Sequence, residues 1–129
     1  MATLETDIPA AGAAATQDTI VGEAPFDGTV TAASILPEAA VTGATATART
    51  FTIINKGQAG VGTTVVATLA LITTVDLVAF DEKDFTLSVV ANATTVAKGD
   101  VLAVAETVAG AGTAHTGGKV KVEIVPRSV

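Results

Sequence analysis

The sequence predicts an all-β domain: an antiparallel β-sandwich, the jelly roll among its forms, preceded by an extended N-terminal arm. Roughly seven short segments are separated by Gly, Pro, Asn and Asp turn signals, with no long amphipathic helix between them. The chain has no Trp, no Tyr and four Phe, so a core must come mainly from Val, Ile, Leu and Ala, with Thr on the outer faces of strands. The centre of the chain, Arg49 to Leu71, reads as strand, glycine-rich connection and strand. Phe51 and Ile53 share one face of the first strand, and Thr50 and Thr52 share the other, because successive side chains of a strand point to opposite sides. In the second strand Val65, Ala67, Leu69 and Leu71 alternate with Thr64, Val66, Thr68 and Ala70, which gives a less polar outer face and leaves it open to a partner.

Residues 1–17 are rich in Ala, carry Pro9 and Gly12, and are read as an arm lying outside a single domain at 18–129. Gly12 and the shortness of the alanine run make an isolated helix there marginal, so the arm is expected to be extended. On this reading, deleting Met1 to Gln17 leaves the domain folded. A strand follows at Asp18 to Glu23, a turn at Ala24 to Gly28, and a strand from Gly28 to Leu36. Pro37 to Thr47 reads as a surface loop or edge segment, and Thr73 to Asp84 as a long acidic connection with room for one Asp-capped helical turn. Phe85 to Val89 alternates as a strand. After the turn at Lys98-Gly99-Asp100, Val101 to Val108 is apolar on both faces, which suits a central strand. Ala109 to Gly118 is a flexible loop, and Lys119 to Val125 alternates charged outer residues with aliphatic inner ones.

A chain of 129 residues fits one domain that buries about two-thirds of its unfolded surface. The formal net charge is −6, so the field of the protein repels phosphate backbones and nucleic acid is not an expected partner. No apolar run approaches the ~20 residues of a membrane span, and the acidic N-terminus lacks the basic and apolar regions of a secretory signal. The expectation is a soluble protein made in the cytoplasm, with no membrane partner. The chain has no Cys, which removes disulfides, thiolate metal sites and Cys nucleophiles.

Candidate sites are few. Gly57-Gln58-Ala59-Gly60-Val61-Gly62-Thr63-Thr64 resembles a phosphate loop only in its glycines, because Gly62 stands where the Lys belongs and a strand follows where a helix should open. His115, the one histidine, reads as a solvated loop residue with no second His or Cys to complete a metal site. Asp81, Glu82 and Asp84 read as a solvated acidic turn, off the spacing of a calcium loop and without the Trp or Tyr platform a glycosidase pair would need. Asn92-Ala93-Thr94 is a formal glycosylation triplet with no signal peptide to give it meaning. One histidine cannot be assigned beside any nucleophile, so no catalytic set, cofactor or metal is expected and the protein is read as a binder and not an enzyme.

Four stretches together resemble the small head decoration, or cement, proteins of tailed bacteriophages: Ala24 to Val30, Asn55-Lys56-Gly57 with Gly62 to Ala67, Ala79 to Lys83, and Lys98 to Leu102. The likeness spans about residues 20–125. It implies a structural protein on the outer capsid surface of the virion, bound to the major capsid protein, a homo-oligomer with a trimer favoured. It further implies that the arm lies on the capsid through Leu4, Ile8, Pro9 and Ala13. The reading from another class is a receptor- or carbohydrate-binding β-sandwich of a phage fibre or cell surface, against which the scarcity of aromatics counts.

Overall fold

The computed structural model describes residues 1–127. Its strands are β1 (Ala2–Ile8), β2 (Gln17–Glu23), β3 (Gly28–Pro37), β4 (Arg49–Gly57), β5 (Thr64–Ala70), β6 (Lys83–Asp84), β7 (Thr86–Leu87), β8 (Thr95–Val96), β9 (Val101–Val108) and β10 (Gly118–Pro126). A single 3₁₀ turn at Thr45–Thr47 precedes β4. Every strand pair is antiparallel. One sheet runs β1-β10-β3-β6 with β8 also beside β3, and the other runs β2-β9-β4-β5-β7.

The order follows from one operation. Setting aside the two-residue β7 and β8, β4 pairs with β5, β3 with β6, β2 with β9 and β1 with β10. The chain is therefore one long hairpin turned at residues 58–63. Rolling it up places alternate rungs in opposite sheets, and the β3–β10 and β4–β9 pairs close the roll. This is the strand order of a jelly roll. Between the sheets, Val30, Ile35, Val120, Val122 and Ile124 of one inner face meet Phe51, Ile53, Leu69, Leu102 and Val104 of the other in a single aliphatic core.

The central strands follow the alternation, with Phe51 and Ile53 buried and Thr50 and Thr52 half-buried. Strand β9 lies between β2 and β4, as its two apolar faces suggest. Strand β5 departs from strict alternation. Ile53 pairs with Ala67 and Ile54 with Val65, so Val66 is an extra residue in a β-bulge. The bulge turns both Val66 and Ala67 into the core and leaves Val65, expected inside, exposed.

Three further expectations are corrected. The Phe85 to Val89 strand is cut to two residues: Phe85 is buried, but Val89 and Val90 stand in solvent. Thr73 to Asp84 contains no helical turn. Leu77 instead forms a two-way backbone bridge with Val41, and the Asp76 carboxylate accepts the Gly43 N–H at 2.7 Å. Residues 1–17 are not an arm outside the domain, because β1 pairs with β10 in unbroken register from Ala2↔Ile124 to Ile8↔Gly118. Its inward positions, Ala2, Leu4, Thr6 and Ile8, alternate with exposed Thr3, Glu5 and Asp7.

Candidate functional site

The residues expected to bind a capsid are divided by the structure. Ile8 is 3% exposed and belongs to the core, and Leu4 is half-buried against the core and above Gly22, so neither offers an outer contact surface. Pro9 and Ala13 are exposed, but their carbonyls face inward: Pro9 O accepts a bond from Gln17 Nε2, and Ala13 O lies against Gly112. Asp81, Glu82 and Asp84 are exposed, as expected of an acidic turn. Hydrogen bonds from Lys121 and Ser34 hold the Glu82 carboxyl below its ordinary range. Asn92 is exposed in a turn at φ 64, and the glycines at residues 57–62 form the hairpin connection. Among the described residues no group of three or more His, Cys, Asp or Glu stands close enough to hold a metal ion.

His115 is not solvated. It is 6% exposed and sits with Arg49 and Glu106 in a sealed polar centre at one end of the β4–β9 pair. The positions follow from strand parity: Arg49 continues the inward series of Phe51 and Ile53, and Glu106 that of Leu102 and Val104. Glu106 Oε1 accepts bonds from Arg49 Nη1 at 3.0 Å and His115 Nε2 at 2.6 Å, while Oε2 accepts from Gln17 Nε2 at 2.8 Å. Arg49 spends its other donors on backbone: Nε on Thr113 O, and Nη2 on both Gly12 O and Ala15 O. No buried side-chain donor or acceptor among the described residues lacks a partner.

The tautomer of His115 follows from its bonds. Gly117 N–H donates to Nδ1 at 3.0 Å, so Nδ1 carries no proton, and Nε2–H donates to Glu106. Arg49 Nη1 faces the same Glu106 oxygen as the imidazole N–H. The Phe51 ring meets the imidazole edge-on at a centroid distance of 5.4 Å. Burial pushes the Glu106 carboxyl up, but the hydrogen bonds from His115 and Gln17, with electrostatic attraction from His115 and Arg49, outweigh it, and the group titrates below its ordinary value of 4.5. A lowered carboxyl contributes stability that is complete above its unfolded value and is lost as pH falls through the folded one. Titration of the Glu106 carboxyl itself should therefore leave urea midpoints unchanged above about pH 4.5 and lower them below it. The gap between wild type and Glu106→Gln should narrow over the same acid range, and a constant gap down to pH 3 would contradict this.

This centre is a staple. It fixes the chain before β2 and the loop before β10 onto β9, with side-chain exposures of 0% for Arg49 and Glu106 that shut out any dissolved substrate. What the surface offers is two unlike faces. On the outside of the β1-β10-β3-β6 sheet, Thr3, Glu123 and Ala32 form one row, Glu5, Lys121, Ser34 and Asp84 the next, and Asp7, Lys119 and Leu36 a third. Lys119 is 3.5 Å from Asp7 and 3.8 Å from Glu5, and Lys121 is 3.3 Å from Glu82.

The outside of the other sheet is nearly free of charge. Ile20, Ala103, Ile54 and Val65 lie directly opposite one another across four strands, and Asp18, Ala105, Thr52, Thr68 and Thr86 form the adjacent row across five. Thr107, Thr50 and Ala70 complete a third. Glu23, Val101 and Gly57 form a fourth, and Asp18 and Glu23, both on the rim strand β2, are the charges in these rows. Ile20 is 68% exposed and Val65 42%. Ser88 N donates to Val66 O, so exposed Val89 and Val90 follow just beyond Val65. Comparison with family models, curated proteins and solved structures gives no significant match to the chain.

Proposed function

We propose that this chain is a structural decoration, or cement, protein that lies on the outer surface of a bacteriophage capsid and holds neighbouring major capsid protein subunits together. The observation that carries the reading is the contrast between the two outer faces. Covering a face that carries few charges costs little desolvation, and the Ile20-Ala103-Ile54-Val65 rows offer such a face to a flat partner. The charged β1-β10-β3 face then points to solvent. The resemblance of residues 20–125 to head decoration proteins supports the major capsid protein as that partner.

The size of the face suits an oligomer. Five strands about 4.8 Å apart and about six residues long at ~3.3 Å each give a footprint on the order of 400 Å², so one copy buries roughly 800 Å² over both partners. That is below the ~1,000 Å² that a specific interface needs, so one copy alone binds weakly. Linked copies, with a trimer as the favoured form, gain avidity from simultaneous engagement.

The test is co-sedimentation with undecorated phage heads. Ile20→Asp and Val65→Asp, both at exposed positions, should weaken binding at least tenfold with little change in melting temperature, whereas Lys121→Glu on the opposite face should not. Equal binding by all three variants would remove this face from the mechanism. Wild-type protein that ignores heads but binds glycans would replace the proposal with a carbohydrate-binding module.

A further inference from the structure

The polar centre couples one titratable ring to the Ile8 end of the N-terminal strand. Residues 9–16 are attached to the domain at three kinds of point, all converging on His115 or its partners. Ala11 and His115 exchange two backbone hydrogen bonds, at 3.0 and 3.1 Å. Arg49 holds Gly12 O and Ala15 O, and Gln17 holds Pro9 O while it bonds Glu106. Gly117, whose N–H is the donor to His115 Nδ1, has φ 95 and packs so closely on the end of β1 that a Cβ there would stand 2.6 Å from Ile8 O. Strand β1 ends at Ile8, where this set of contacts begins.

The closed arrangement accepts only the neutral imidazole. A second ring proton, on Nδ1, would point at the Gly117 N–H, donor against donor, and the ring cannot turn away without giving up Glu106 at 2.6 Å and the edge of Phe51. The charged groups in contact with the ring pull in opposite directions. Glu106, from β9, favours a cation; Arg49, from β4, shares the same Oε1 and opposes one, and Gln17, from β2, is uncharged. With His115 neutral, the Arg49–Glu106 pair sums to zero. With His115 charged, a net positive charge is shut in a site whose side chains are 0 to 3% exposed. Opening the loop at residues 115–118 relieves both problems, because it carries the ring into water, and it simultaneously breaks the Ala11 bridge and the Gly117 contact with Ile8.

We propose that the His115 centre is an acid-sensitive latch: a proton on Nδ1 opens the loop at residues 115–118 and loosens the Ile8 end of β1 from β10, while the rest of the sandwich stays folded. The proposal is independent of the partner that the outer faces bind. It is read by hydrogen exchange, corrected for the chemical exchange rate, across pH 7.5 to 5.0, the range in which histidine side chains change charge. Peptides covering β1 and β10 should lose protection at least tenfold more than those covering β4 and β9. His115→Gln, which retains an amide donor for Glu106 and cannot titrate, should show no such pH dependence. Should that variant fail to fold, nitrogen NMR of the wild-type imidazole gives the same decision: Nδ1 should be unprotonated whenever β1 is protected. A doubly protonated ring with β1 still protected, equal pH dependence in both proteins, or uniform loss of protection in all strands would overturn the latch.

Discussion

Deletion of Met1 to Gln17 is expected to abolish cooperative folding. The segment supplies all of β1, so its loss leaves β10 as a bare edge and opens the core where Ile8 and Leu4 sit. It also removes Gly12 O and Ala15 O from Arg49 and the amide of Gln17 from Glu106. Loss of a buried aliphatic side chain costs about 2–5 kcal/mol, and each buried hydrogen-bonding group left without its partner about 1–3 kcal/mol. Their sum is comparable to the whole stability of a typical domain, ~5–15 kcal/mol. The deleted protein should show no sigmoidal urea transition at 25 °C. A transition with an unchanged midpoint would mean that the segment is dispensable.

Arg49→Met is expected to be the most damaging single substitution, at about 3–5 kcal/mol, because it leaves the Glu106 carboxylate sealed from water without a counter-charge. The double variant Arg49→Met/Glu106→Leu should recover at least half of that loss, since replacing both members of a buried pair by apolar groups removes the uncompensated charge. Urea denaturation of the two single variants and the double one completes the cycle. Additive losses would show that the two residues act separately, contrary to their 3.0 Å contact.

Much of the sandwich could be read from parity alone. Phe51 with Ile53, Lys119 with Lys121 and the two-sided apolar Val101 to Val108 each placed a strand, because long strands packed on one core must alternate. The same parity carried the polar centre. Arg49 is two residues from Phe51 and Glu106 two from Val104, so both fall on inward positions, and a charge of each sign at an inward position is a signal for a buried pair. Expecting charged side chains at strand ends to reach water conceals it. His115 was harder to place, because a Gly- and Thr-rich loop carries no period and its burial depends on Glu106, nine residues away across a turn. Strand β1 was hidden for a different reason. Its inward face is Ala2, Leu4, Thr6 and Ile8, half of it small or polar, which suits a strand at the rim of a sheet and gives only a weak alternation. The bulge at Val66 left no local mark, since Val65, Val66 and Ala67 are all acceptable inside or outside a sheet.

The rolled hairpin imposes a schedule on the growing chain. Ala2 is matched with Ile124, so β1 finds its partner only after the other strands of this sandwich have been made, whereas β4 and β5 meet across a short connection as soon as both exist. A nascent chain stopped before residue 118 holds two unsatisfied edges, β1 and β3, that only β10 can join. Contacts this distant in sequence place the fold among slow folders, on the ms–s scale. The tip at residues 58–63 is the place from which pairing can spread, and the β1–β10 seam is where assembly ends.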